Sequence, residues 1–126
     1  MSRRPTRLRR LLRHLRSPAR PPEPRRPSRS YMVIARTELA ARDGLICQQC
    51  GCWLNLRAGT LAGNYPHVHH IVAWSKAKYL WWVNELWNLC LLCRRCNLAI
   101  GDRATPRLNA LGYRLRAAAQ AQAAAR

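Results

Sequence analysis

Apolar and polar positions change rhythm several times along this chain, and each change predicts an element. From Ser30 onward, Met32, Ile34, Ala35 and Leu39 recur near a helical spacing, and Asp43-Gly44 breaks the run. A helix capped by Ser30 and lasting to Arg42 is the expectation. Residues 53–66, with Gly59, Gly63, Asn64 and Pro66, read as loop. His67 to Ala73 is β-branched and apolar enough for a strand, and Asn88 to Leu92 predicts a second. Residues 74–87 form a Trp-rich connection between them. Arg94 to about Gly101 predicts a short helix. Thr105-Pro106 opens a last one, with Pro at its first position. Past Arg116 the chain is almost pure Ala and Gln, a helix expected to fray. The order is that of a small α+β domain.

Residues 1–29 follow none of these rhythms. Arg alternates with Pro and Leu, and Pro18, Pro21, Pro22, Pro24 and Pro27 forbid a continuous helix in the second half. The expectation is a disordered basic arm, with Thr6 to Leu15 able to form a short helix on a phosphate backbone. Such an arm adds affinity for phosphates without reading sequence. The chain then divides into an arm (1–29), a folded domain (30–104) and a C-terminal helix and tail (105–126).

Charge narrows the partners. There are 23 Lys+Arg against 5 Asp+Glu, a net charge of +18. A field of that sign concentrates polyanions and releases their counterions on contact. Nucleic acid is the expected partner, and a membrane is not, because no long apolar span is present. No apolar stretch follows the basic N-terminus as in a secretory signal, and a basic tail is preferred to an Arg-rich transit peptide. An intracellular location is expected, where thiols stay reduced.

At 126 residues, with no Phe and five Trp, the core is thin and calls for a staple. Six cysteines are available. Cys47-Gln48-Gln49-Cys50 and Cys93-Arg94-Arg95-Cys96 are matched CxxC pairs, whose two-residue spacer lets both sulfurs reach one tetrahedral zinc. Two such knuckles would complete a closed four-thiolate site and couple folding to metal. A redox dithiol or plain buried thiols compete with a single CxxC but poorly with two. Cys90 reads as a core thiol, and Cys52 as partly exposed and able to exchange with Cys50.

Between the knuckles lies His67-Val68-His69-His70-Ile71-Val72, followed by Asn88 and Asn97. On a strand His69 and His70 face opposite ways, so one imidazole can hold a metal while the other stays free to take a proton from water. Asn97, one residue past Cys96, offers a carbonyl oxygen to the same cation. Asn88 could lock the connecting loop and so fix His70. His14 and His67 carry no assigned role, although His67 shares a face with His69 and could be a reserve ligand.

Taken together, Arg42-Asp43-Gly44, Cys47-x-x-Cys50-Gly51, Val68-His69-His70-Ile71-Val72 and Asn88-Leu89-Cys90-Leu91-Leu92-Cys93-x-x-Cys96-Asn97 resemble the HNH endonuclease family of the ββα-metal (His-Me finger) fold. The resemblance runs from about Arg36 to Arg103. It implies that His70 is the general base and that Asn88 is the structural middle residue. It implies that His69 and Asn97 hold a catalytic divalent cation: Mg²⁺, Mn²⁺, Ni²⁺ or Zn²⁺. The substrate implied is DNA, cut with weak sequence preference, and small members of the family are carried by phages and other mobile elements. Three departures stand out. His69 occupies a position where many members have Asp, which shifts preference toward softer cations. Ala73 replaces a common Pro. No Lys follows Asn97, where Arg103 could supply the charge instead. The cations expected at phosphates are Arg94, Arg95, Arg103, Lys76 and Lys78. The Trp-rich loop 74–82 either packs over the core or presents a surface to a protein partner or to unstacked bases. The alternative function is a zinc-stapled DNA-binding module with weakened catalysis; a disulfide-bonded secreted peptide is the remote third.

Overall fold

Pro27 sets where the first helix begins. In this computed structural model, described over residues 22–126, helix α1 spans Arg29–Asp43, and the Ser28 hydroxyl accepts the Tyr31 N–H at 3.1 Å. The cap is therefore Ser28 rather than Ser30: the helix starts as soon as the chain clears the proline ring. Gly44, at φ 80°, ends it and returns its N–H to Ala40. The expected helix at Thr6 to Leu15, and the arm as far as Pro21, lie outside the described residues.

Strands β1 (Pro66–His70) and β2 (Leu89–Cys93) pair antiparallel, with His69 opposite Cys90 and His70 opposite Leu89. β1 is displaced from the expected His67 to Ala73, and β2 starts one residue later than Asn88. Asn88 explains both shifts. Its backbone carbonyl accepts the Ile71 N–H at 2.8 Å, and its side-chain oxygen accepts the Val72 N–H at 2.9 Å. A side chain thus takes over where a strand ladder would continue, and the chain turns away. Asn88 itself closes a short 3-10 turn, Leu86–Asn88. The connection is not wholly irregular, since Trp74–Ala77 forms helix α2.

β2 leads directly into helix α3 (Arg94–Ile100), and helix α4 (Pro106–Ala124) follows with Thr105 as its cap. The last helix continues through the Ala/Gln stretch to Ala124. Every residue of β2 is fully buried, in a cluster with Ala35 and Leu39 of α1, Ile100 of α3, and Leu108 and Leu111 of α4. Burying each leucine contributes about 1.5–3 kcal/mol. Gly112 lets α4 close on the turn after β1: a Cβ there would stand 3.0 Å from the Ile71 side chain. Arg42 ties the end of α1 to the β2 entrance, donating to the carbonyls of Leu86 and Leu89 at 2.7 and 2.8 Å. The result is a mixed helix and two-strand architecture consistent with a ββα-metal fold.

Candidate functional site

The two CxxC turns meet at one end of the hairpin. The first follows α1, and the Gln48 N–H donates to Leu91 of β2 at 3.0 Å, which seats the turn against the strand. The second spans the junction of β2 and α3, where the Cys93 sulfur accepts the Cys96 N–H at 3.4 Å and caps the helix. The sulfurs of Cys47, Cys50, Cys93 and Cys96 all lie within 4.8 Å of one another, and Cys50 and Cys93 are 3.9 Å apart. Sulfurs at tetrahedral corners around zinc, ~2.3 Å from it, stand roughly 3.8 Å apart, so the set fits that ion. The Cys50 thiol is lowered to about 6, chiefly by the backbone N–H of Cys52, whereas burial pushes the Cys96 thiol up, so the fit to zinc rests on the spacing of the sulfurs. Cys90 lies elsewhere in the core, where burial pushes its thiol up to about 12. Cys52 is half-buried next to the cluster, and desolvation pushes it up to about 12.

An open cleft of about 350 Å³ is lined by His69, His70, Asn97, Trp74 and Asp102, among others. Alternation along β1 sends His69 toward α3, where its Nδ1 stands 2.9 Å from the Asn97 side-chain oxygen. That oxygen can only accept, so His69 Nδ1 carries a proton that a cation would have to displace. Two ligands at ~2.1 Å and a right angle on one octahedral cation would stand roughly 3.0 Å apart, so the spacing also fits a shared ion. The Asn97 amide nitrogen donates to His67 Nδ1 at 3.1 Å, and this contact turns the amide oxygen toward His69. His67 is thus a partner of Asn97.

His70 ends β1, and its ring lies edge-on to Trp74 with centroids 5.8 Å apart. Its Nε2 is 2.9 Å from the Asn84 side-chain oxygen. The amide oxygen can only accept, so Nε2 carries the proton and Nδ1 keeps a lone pair. Burial lowers the affinity of His70 for a second proton, with Asn84 opposing. Burial lowers that of His69 as well, with Asn97 opposing. Both rings are therefore neutral at pH 7, as ligand and base chemistry require. Asn88, 1% exposed, donates to the Val83 and Val72 carbonyls at 2.8 and 3.3 Å. It clasps both ends of the 72–83 loop.

A family model described as HNH endonuclease matches residues 47–103, a span that starts at the first knuckle and closes just after α3. Residues 47–103 are thus similar to an HNH domain. No curated protein and no solved structure matches the chain.

The cations of this segment are unequally available. Lys76 is exposed on α2, and Arg94 is half-buried at the start of α3. Arg95 is exposed but leans on Gly63 and sits beside the Cys93 and Cys52 sulfurs. Lys78 is paired with Glu23 at 2.6 Å. Arg103 donates to the carbonyls of Ala99 and Ile100 at 2.6 and 3.3 Å. These contacts fold it back on the end of α3. The Trp-rich loop divides: Trp74 joins a small core with Ala77 and Val83, while Trp81 is 82% exposed. Among the described residues no helix is long and apolar enough to cross a membrane.

Asn84 escaped the sequence reading. It sits in Trp81-Trp82-Val83-Asn84, and the only hint of its role is one amide closing an apolar run. Its backbone carbonyl also accepts the Tyr31 hydroxyl, so α1 holds the residue that orients His70.

Proposed function

We propose that this protein is a metal-dependent DNA endonuclease in which His70 is the general base. One observation carries the reading: His70, with Nδ1 free and Nε2 tied to Asn84, shares a cleft with a His69–Asn97 donor pair spaced for one cation. His70 Nδ1 takes the proton of an attacking water, and the Asn84 oxygen steadies the imidazolium that forms. His69 and Asn97 would hold a divalent cation, and His67 keeps the Asn97 oxygen turned toward it. That cation, when bound, stabilises charge on the phosphate and the leaving oxygen. Asn88 holds the 72–83 loop and so keeps Asn84 and Trp74 around the base. The four cysteines would hold a structural zinc. With an imidazole in place of a carboxylate, Mn²⁺ or Ni²⁺ should support cleavage at least as well as Mg²⁺.

The fold-back of Arg103 favours a second reading, a zinc-stapled DNA-binding module with weakened catalysis. Incubating plasmid with the protein in Mg²⁺, Mn²⁺, Ni²⁺ or Zn²⁺ decides between them. Nicking that disappears in His70→Ala, with binding retained, is the expected result. Equal binding with no nicking in any cation supports the module instead.

A further inference from the structure

We infer that the N-terminal arm completes the catalytic cleft: Arg26, outside the HNH segment, is the residue that grips the scissile phosphate. The inference rests on the nuclease reading and goes beyond it, because the sequence assigns the arm affinity alone.

Arg26 is the only Lys or Arg among the described residues that line the cleft with His69, His70 and Asn97. A phosphate entering there needs such a cation, since Asp102 also lines the cleft and Arg103 is turned back on α3. The position of Arg26 is not that of a loose tail. It lies two residues before Ser28, whose hydroxyl caps α1. α1 is in turn tied to Asn84 through Tyr31. On its other side Glu23 pairs with Lys78 just past α2. The strap from Glu23 to Ser28 is therefore fastened at both ends, beside α2 and at the start of α1, with Arg26 between them lining the cleft. Arg26 itself is held lightly. Its guanidinium carbon stands 5.9 Å from the centroid of Trp74, at the limit of a cation–π contact, which at an exposed site is worth about 0.5–1 kcal/mol. Among the described residues no carboxylate lies within ion-pair distance of it. A phosphate can thus recruit it without breaking a strong interaction, and the planar guanidinium suits two phosphate oxygens at once.

Arg25 supplies the control, being an adjacent exposed arginine of equal charge that does not line the cleft. If the arm acts through charge alone, the two arginines are interchangeable. The test measures cleavage of a short duplex at saturating protein in Mn²⁺, beside equilibrium binding of the same duplex, for full-length wild type, Arg26→Ala, Arg26→Lys and Arg25→Ala. Arg26→Ala should slow the saturated rate about 100-fold, with affinity changed only about as much as in Arg25→Ala. Arg26→Lys should recover part of the rate, and Arg25→Ala should cleave like wild type at saturation. Equal saturated rates for Arg26→Ala and Arg25→Ala overturn the inference and leave the nuclease reading intact. A wild-type protein that binds the duplex and cuts it in no cation overturns both.

Discussion

The two donor sets of this chain meet at consecutive residues of α3, Cys96 and Asn97, and are built on opposite plans. The cysteine cluster is closed: four soft donors converge, two from each tight CxxC turn, and the fold contributes little beyond bringing the two turns together. The histidine cleft is open: two donors stand side by side, the proposed base His70 beside them is aimed by Asn84, and space remains around them. A structural metal site satisfies itself, whereas a catalytic one must leave positions unfilled and borrow its geometry from the surroundings. Damage to the first should therefore cost the fold, and damage to the second should cost chemistry while the fold survives.

The sharpest break of that contrast is at the cysteines. Cys47→Ser or Cys93→Ser should abolish bound zinc and cooperative unfolding together, read by metal analysis and thermal melting. Either variant melting like wild type would remove the staple. Next comes His70→Ala, which should lower cleavage at least 100-fold with zinc content and circular dichroism unchanged. The base must be neutral to act, and burial holds its pKa below the ordinary 6.5. Cleavage in wild type should therefore rise with pH through a value below 6.5 and level off by neutrality. A rate still climbing above pH 7 would point to another group. Asn84→Ala leaves the imidazole in place but unaimed, so a loss of about tenfold in kcat with little change in KM is expected. An unchanged kcat would remove Asn84 from the machinery. The smallest effect belongs to Arg42→Ala, which removes two contacts from α1 to the strand entrance and touches neither donor set. It should cost about 1–2 kcal/mol in urea denaturation with saturated cleavage unaltered.

The same contrast explains what could be read before any coordinates. The CxxC spacings are local: a two-residue gap already dictates that both sulfurs face one point, so Cys47, Cys50, Cys93 and Cys96 stand out in the string. His69 and His70 were legible through their place between those knuckles, and Asn97 through its place directly after the second. The ends of β1 were not, because the feature that stops the strand is the Asn88 side chain, arriving from sixteen residues away. Neither was the Ser28 cap, where two serines compete and only the helix start chooses. Arg103 reads as a free cation in sequence, and only the end of α3 shows two of its donors engaged by backbone carbonyls.

By itself, then, the amino-acid sequence determined the donor types, their order, the polyanion-seeking charge and a mixed α+β plan, because each depends on neighbours a few residues apart. Only the tertiary structure decided which partners aim those donors. Asn84 reaches His70, His67 turns Asn97, Tyr31 anchors Asn84, and Arg26 comes to the rim of the cleft. These pairings join residues separated by 14 to 53 positions, or cross from the arm into the domain. No local spacing rule encodes such contacts. They exist because the hairpin, α1 and the Trp-rich loop must pack together to bury β2, and the side chains left at their edges meet as a consequence.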